Sequence, residues 1–331
     1  MRTTALAPGV TAVGSGDLSL AVAANRNVDA REVERALHHA VELGLTLVDV
    51  HPGEADAELL AADMLRTKRA RDRVLVTTTI PLVPPRPGVP RRDLLPELLP
   101  VRYLQERVES SLRTTRLDAI PLVQLPLTSA WRSSTAWAEL VGTCARLTRE
   151  GKVLAWAARL DVLDEAALAF ATDTAFSALS VVFSLCNRSA ASLIAASKLP
   201  VLARQPLAGG ALAGTIGPGM KLSPRDDRNE LSPADLERAA VASARLAPEL
   251  REEPPAARSC DAARAVLDRG KRPDHLEAIS QAELALRFVI DQGAIALPRL
   301  HRHAHVMGAV IACAAPPLTP ALLKRILDEK S

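Results

Sequence analysis

Aromatic residues are scarce in this sequence of 331 residues: one Tyr, three Trp and four Phe make up only 2% of it. Chemistry that requires a phenol therefore has a single candidate, Tyr103. Cysteine is scarce too, and Cys144, Cys186, Cys260 and Cys313 are widely spaced and include no CxxC pair. Neither a disulfide framework nor a zinc site built on paired cysteines is expected.

The chain also lacks an excess of charge of one sign and a long apolar run. Forty-one basic residues against 38 acidic ones leave a net charge of +3, without a basic block. This argues against a nucleic-acid or anionic-membrane partner. Because no stretch resembles a membrane span or the apolar part of a signal peptide, we expect a soluble, cytoplasmic protein. With 48% hydrophobic residues, it should fold around one large core.

Short apolar runs alternate with amphipathic segments along nearly the whole chain. The runs are continuous rather than alternating, which is typical of parallel strands that are covered on both faces. The eight predicted strands are Leu18–Ala24, Thr46–Val50, Val74–Ile80, Ile120–Leu127, Val153–Ala158, Leu179–Leu185, Val201–Leu207 and Ala294–Leu297.

Helical patterns lie between these runs. In Arg31–Leu43 the apolar residues recur at helical spacing, and Gly44 supplies a stop. Further helices are predicted at Ala55–Arg66, Tyr103–Arg116, Thr135–Glu150, Asp164–Ala171, Ala190–Lys198, Ala234–Glu249, Ala262–Arg269, Gln281–Gln292 and Pro320–Glu329. Eight strand–helix units without a GxGxxG motif favour a single (β/α)8 TIM barrel over residues 1–331 rather than an open sheet.

Two segments interrupt this alternation. Pro81–Pro100 contains seven prolines and is predicted to be a stiff loop after the third strand, on the face where barrels carry their active sites. Gly214–Pro273 is longer and rich in charge, and we interpret it as a partly helical excursion over the barrel mouth.

Five segments, in the right order, resemble the aldo-keto reductase superfamily. They are ALHHAVELGLTLVDV, YLQERVESSLRTTRLDAIPLVQL, REGKVLAWAA, PLAGGALAG and LALRFVIDQGAIALPR. The resemblance covers nearly the whole chain. It implies the barrel fold and, for ordinary members, reduction of a carbonyl group with NADPH.

The resemblance assigns the family's four catalytic positions to residues that mostly differ from the family pattern. Asp49 matches the aspartate, whereas the tyrosine position holds Glu54, the lysine position Thr79 and the histidine position Pro126. Tyr103 lies too far along the chain to substitute for the missing phenol. Proton donation to the carbonyl oxygen, and the tuning of its donor, are worth several powers of ten in rate. Standard NADPH-dependent reduction is therefore not expected.

The positions that hold the cofactor differ in a similar way. By resemblance, Arg159 and Arg204 replace groups that contact the nicotinamide, and Ser180 replaces a glutamine. Arg299 aligns with a phosphate-binding lysine. NADP(H) is thus implied by the family alone.

The loop Pro206-Leu207-Ala208-Gly209-Gly210 retains the family pattern. Pro206, Leu207, Gly209 and Gly210 are candidate cofactor-binding residues, because glycines let backbone N–H groups approach a pyrophosphate. The same glycines also suit a tight turn at the barrel rim.

Asp49, His51 and Glu54 are the candidate catalytic residues. An imidazole beside two carboxylates could exchange protons near neutral pH in a non-redox step. The alternative is that Asp49 caps a turn and His51 is a solvated loop residue.

Arg159 and Arg204 are candidates for binding a small anionic ligand through their guanidinium groups. Alternatively, they fill a disused nicotinamide pocket and pair with Asp49 or Glu54. The HRHAH segment at residues 301–305 is interpreted as a helix start, and no metal site is predicted.

Three functions follow from these residues. The preferred one is a protein that binds a small polar or anionic metabolite, with or without non-redox proton transfer. The second is an NADP(H)-dependent oxidoreductase with His51 or Glu54 as an unusual proton donor. The third is a non-catalytic partner or regulatory protein that acts through one of the two long segments.

Overall fold

The computed structural model describes residues 30–50, 55–66, 68–84, 94–221, 232–246 and 280–327. Within these ranges seven strands alternate with helices. The strands, β1 to β7, are Leu47–Val50, Leu75–Thr79, Leu122–Leu127, Trp156–Leu160, Ala178–Val182, Val201–Arg204 and Ile295–Leu297.

The helices surround these strands. The α-helices in the described ranges, α1 to α11, are Ala30–Glu42, Ala55–Met64, Lys68–Arg73, Leu95–Leu98, Val101–Thr115, Ala136–Arg149, Ala191–Ala196, Pro233–Leu246, Gln281–Asp291, His303–Ala314 and Pro320–Leu327. The ends of β3, β4 and β6 are followed by 3₁₀ helices at Ser129–Ser133, Glu165–Thr172 and Ala208–Ala213.

All seven strands are parallel, and each pairs with its neighbours in chain order. Every strand contributes inward-facing side chains to a single apolar cluster, so the sheet curls into a nearly closed barrel. This cluster contains Leu47, Leu75, Leu122, Ala155, Ala157, Ala178, Leu202 and Leu297. The first helix, α1, packs against α10 near the end of the chain. The (β/α)8 TIM-barrel prediction is confirmed; its first strand, Leu18–Ala24, lies outside the described residues.

The outward faces of the strands pack against the helices. Val48 and Val50 of β1, for example, pack with Val33 and Leu37 of α1 and with Ala57 of α2. Both faces of each strand are therefore buried, which explains why the strands appear in the sequence as continuous apolar runs.

Two local structures differ from the sequence expectations. The segment predicted as an α-helix at Asp164–Ala171 forms a 3₁₀ helix, in which the Asp164 carboxylate accepts a hydrogen bond from the Ala167 N–H (2.8 Å). The proline-rich segment Pro81–Pro100, predicted as a loop, ends with the short helix α4. Pro96 lies in the first turn of this helix, where its missing N–H costs no hydrogen bond.

Part of the predicted excursion Gly214–Pro273 lies in the described ranges. Its helix α8 packs on the 3₁₀ helix after β6, where Ala211, Ile216 and Ala239 form a small apolar cluster. The predicted helix Ala262–Arg269 falls outside the described residues. In the ranges described, no helix has the length and apolar character that a membrane span requires.

A buried carboxylate ties the outer layer to the barrel. Glu58 of α2 is only 3% exposed, and its Oε1 accepts hydrogen bonds from Ser111 Oγ of α5 (2.6 Å) and Thr78 Oγ1 of β2 (3.2 Å). Both hydroxyl groups are buried as well. Removing the acceptor would leave two buried donors without a partner, which costs more than the bonds themselves contribute.

We expect Glu58→Leu to lower the free energy of unfolding by about 2–4 kcal/mol, because both hydroxyls lose their acceptor. Glu58→Gln, which keeps one carbonyl oxygen, should cost less than about 1.5 kcal/mol. Urea unfolding measures the free energy of unfolding of both variants. The control is Glu237→Leu at an exposed position, whose free energy of unfolding should stay within about 0.5 kcal/mol of that of the parent protein. Equal stability of the Leu and Gln variants would contradict this role.

Candidate functional site

On the inner face of the strands, polar side chains lie beyond the apolar cluster, toward the carboxyl ends of the strands. Asp49 is two residues beyond Leu47 on β1, so the strand pleat turns both side chains inward. Asp49 is only 5% exposed. Because the carboxyl ends of parallel strands meet at one rim, the candidate site lies at this mouth. The other two candidate catalytic residues, His51 and Glu54, lie outside the described residues.

Gln124 of β3 binds the Asp49 carboxylate across the barrel. Its Nε2 donates to Asp49 Oδ1 at 2.7 Å and to Thr77 Oγ1 of β2 at 3.0 Å. Gln124 is fully buried. This amide therefore orients Asp49 from two strands away, a contact that sequence reasoning did not predict.

An ion cluster lies at the same mouth. Arg204 Nη2 at the end of β6 donates to Asp161 Oδ1 at 2.5 Å and approaches the Leu160 carbonyl oxygen at 3.4 Å. Arg159 Nε of β4 is 3.7 Å from the same Asp161 oxygen, and its Nη1 donates to Thr79 Oγ1 at 3.3 Å. Two guanidinium groups thus share one carboxylate, which the sequence analysis did not single out.

The pKa values in this cluster reflect burial and like charge. Burial lowers the pKa of Arg204, and the positive charge of Arg159 lowers it further, while Asp161 and Asp49 raise it. For Asp161, burial raises the pKa, but the charges and hydrogen bonds of Arg204 and Arg159 outweigh burial, so the net shift is downward. Each of these charged groups therefore depends on a partner of opposite sign.

Several buried polar atoms at the mouth have no hydrogen-bond partner in the described part of the chain. Three of them are donors on neighbouring strands: Arg159 Nε of β4, Ser180 Oγ of β5 and Arg204 Nε of β6. Ser180 is directly opposite Arg159 in the strand register and is fully buried. Donors that converge without an acceptor suit a negatively charged ligand.

A cavity of about 370 Å³ opens beside the ion cluster. Its wall is mostly apolar and includes Pro126, while Asp161 and Thr128 supply polar atoms. The residues that line it are Leu82, Leu98, Pro126, Leu127, Thr128, Trp131, Asp161 and Val162. Asp161 thus belongs both to the cavity wall and to the ion cluster.

The loop after β6 contains the candidate residues Pro206, Leu207, Gly209 and Gly210. The Leu207 carbonyl accepts from the N–H groups of Gly210 (2.9 Å) and Leu212 (3.2 Å). Gly209 and Gly210 have φ angles of 65° and 105°, which favour glycine. The N–H groups of Gly210 and Leu212 are therefore used within the turn.

Arg299 and the histidines after it lie between the end of β7 and the first turn of α10. The ring centroids of His301 and His305 are 4.5 Å apart, and those of His39 and His303 are 4.6 Å apart. Burial and the charge of Arg302 lower the pKa of His305. The described residues contain no group of three or more His, Cys, Asp or Glu side chains arranged to hold a metal ion.

The only tyrosine does not face the mouth. Tyr103 is in the first turn of α5 and packs against the outer hydrophobic core. Burial raises the pKa of its phenol, and Arg107 only partly opposes this. A proton donor that works near neutral pH requires the opposite shift.

We expect Gly210→Ala to lower the free energy of unfolding by about 1–3 kcal/mol, because a side chain at this φ is strained. The added Cβ would also lie 2.4 Å from Thr215 Oγ1. Gly142→Ala in helix α6, where no atom lies within 4 Å of the new Cβ, should instead raise stability by about 0.5–1 kcal/mol. Urea unfolding of both variants measures the difference, and a neutral Gly210→Ala would contradict a constrained turn.

Comparisons with known proteins agree with this architecture. A family model described as "Aldo/keto reductase family" matches residues 12–328. No curated protein matches the sequence at a significant level.

Several solved structures are similar to the chain over most of their length. A glycerol dehydrogenase, AKR11B4 from Gluconobacter oxydans, is 20% identical, with a TM-score of 0.67 over 96% of this chain and 92% of the other. The aldo-keto reductase AKR11C1 from Bacillus halodurans, in its holo form, is 17% identical, with a TM-score of 0.64 over 96% and 91% of the two chains.

An aldo/keto reductase from Klebsiella pneumoniae, in complex with NADP and acetate, is 19% identical, with a TM-score of 0.60 over 96% of this chain and 90% of the other. At such identities these likenesses concern the fold alone. The family model, in contrast, spans nearly the whole sequence, and the chain therefore belongs to the aldo/keto reductase family.

Proposed function

We propose that this protein binds a small anionic metabolite at the barrel mouth, through Arg159 and Arg204. The observation that carries the proposal is the pair of guanidinium groups that share the single carboxylate of Asp161. Asp49 also acts on Arg204, so the charges of the described residues balance while Asp161 is in place. The Asp161 side chain is 54% exposed, and in this proposal an anion from solution takes its place on both guanidinium groups.

The unpartnered donors support this proposal. The Nε groups of Arg159 and Arg204 and the hydroxyl of Ser180 converge from three neighbouring strands. A carboxylate or phosphate accepts several such hydrogen bonds at once, and charge-assisted hydrogen bonds are about twice as strong as neutral ones. Gln124 binds Oδ1 of Asp49, and the charge of Asp49 also acts on Arg204.

We further propose that the protein does not reduce carbonyl compounds with NADPH in the family's standard way. Thr79 and Pro126 occupy, by resemblance, the positions of the lysine and the histidine. A threonine hydroxyl carries no charge that would lower the pKa of a neighbouring acid, and proline has no side-chain donor. A reduction would lack the groups that stabilise the developing negative charge on the carbonyl oxygen.

The residues present do not fit the nicotinamide end of NADP(H), although NADP accompanies a structural neighbour. By resemblance, Arg159 and Arg204 stand where the family contacts the nicotinamide. Here both arginines bind Asp161 across that part of the mouth. In the adjoining loop the N–H groups of Gly210 and Leu212 donate to Leu207 rather than toward a ligand.

Any proton transfer on the bound anion would fall to Asp49 in this proposal. Its carboxylate is buried, and Gln124 holds one oxygen in place. His51 and Glu54, two and five residues after Asp49 in the sequence, are the other candidate acids and bases. Such a step exchanges a proton without redox chemistry.

We expect acetate and inorganic phosphate, as the simplest probes, to bind saturably to the purified protein. Arg204→Met should weaken this binding at least about 30-fold, because a buried, hydrogen-bonded charge is lost. Isothermal titration calorimetry measures the affinities. The matched control is Arg149→Met on the exposed face of α6, which should leave them unchanged.

Two results would contradict this proposal. One is equal anion binding by the parent protein and Arg204→Met. The other is saturable NADPH binding with steady consumption of NADPH on addition of aldehydes, which would favour an oxidoreductase with unusual proton donors. A stable protein complex on co-purification, together with no anion binding, would favour the non-catalytic partner instead.

We expect Asp161→Asn to tighten acetate binding by about tenfold, because the internal carboxylate competes with the ligand for both guanidinium groups. The amide oxygen of asparagine still accepts a hydrogen bond from Arg204, so the arginine stays in place. Calorimetry at two salt concentrations checks this, and the gain should shrink at higher salt. Weaker acetate binding by Asp161→Asn would mean that Asp161 is needed for the site rather than competing with the ligand.

A further inference from the structure

The ion cluster and the neighbouring cavity share one residue, Asp161. Its carboxylate binds Arg204 and Arg159, and the same side chain lines the cavity of about 370 Å³. An anion that takes its place on the guanidinium groups would therefore extend directly into the cavity.

The cavity walls differ chemically from the ion cluster. Apart from Asp161 and Thr128, the lining residues in the described ranges are apolar, and they include the buried ring of Trp131. A water molecule occupies roughly 30 Å³ in the liquid. The cavity of about 370 Å³ therefore has room for about a dozen groups the size of a water molecule. These walls suit the hydrocarbon part of a small ligand.

The charges restrict the ligand to a single negative charge. Arg159 and Arg204 face the carboxylates of Asp161 and Asp49, so a ligand with one negative charge that displaces Asp161 keeps the charges balanced. A second negative charge on the ligand would lie either near Asp161 or against the apolar wall, and both positions are unfavourable. The planar guanidinium group also matches the geometry of a carboxylate.

From these observations we infer that the ligand is a small monocarboxylate with an apolar body. Its carboxylate binds Arg159, Ser180 and Arg204, and its hydrocarbon part fills the cavity between Pro126, Trp131 and Val162. This inference rests on the anion site proposed above and adds the class of ligand.

A homologous series of ligands tests the inference. Calorimetric titration with acetate, butanoate and hexanoate should show affinity that rises by about two- to fourfold for each methylene group, and at least about tenfold from acetate to hexanoate. Hexan-1-ol, which has the body without the charge, and the dicarboxylate adipate should both bind at least about tenfold more weakly than hexanoate.

Variants separate the carboxylate site from the cavity. Val162 is 62% exposed and lines the cavity, so Val162→Phe should fold normally and fill part of it. We expect this variant to weaken hexanoate binding at least about fivefold and to leave acetate binding unchanged. The control is Val241→Phe on α8, at an exposed valine outside the cavity, which should change neither affinity.

The outcomes distinguish the two proposals. If acetate binds and depends on Arg204 but the affinity is the same for all chain lengths, the anion site stands and the inference about the apolar body is overturned. If adipate binds more tightly than hexanoate, the single-charge restriction is wrong. If no carboxylate binds at all, the proposed function itself fails.

Discussion

Arg204 brings a permanent positive charge into the barrel interior, and the surrounding residues must replace the water that it loses. Its side chain is 11% exposed, and burial is the main reason for its lowered pKa. Asp161 is its main compensating charge, with a smaller contribution from Asp49, but Asp161 also faces Arg159. Because a buried charge is costly without a partner, the geometry of the mouth depends on this shared carboxylate.

Much of the fold was predictable because its signals are local. Continuous apolar runs predicted seven strands that the structure contains, and Gly44, with φ of 89°, follows helix α1 as expected. The exact ends of the strands depend instead on hydrogen bonding between neighbouring strands. The strand predicted from Ile120 begins at Leu122, since Pro121 has no N–H to donate, and Ile120 forms only an isolated bridge with Val153.

The site was predictable only in part. The resemblance directed attention to Arg159 and Arg204, and pairing with Asp49 or Glu54 was one of two alternatives for them. Asp49 does act on Arg204, and Glu54 lies outside the described residues. Asp161 lies two residues after Arg159, at the first position beyond β4, and this spacing was available in the sequence. The bond from Gln124 to Asp49 had no comparable signal, because it joins residues 75 positions apart and depends on the curvature of the barrel.

The position of the ion cluster says more about function than about stability. The apolar cluster that includes Leu47 and Leu202 already fills the barrel below it, and these residues alternate with Asp49 and Arg204 on the same strands. Replacing a buried ion cluster with apolar side chains is often neutral or stabilising. Folding therefore does not require two arginines at the mouth. Their Nε groups have no hydrogen-bond partner in the described part of the chain, and Asp161, which faces both arginines, lines a cavity with apolar walls. A ligand that accepts these hydrogen bonds explains both observations better than a role in folding.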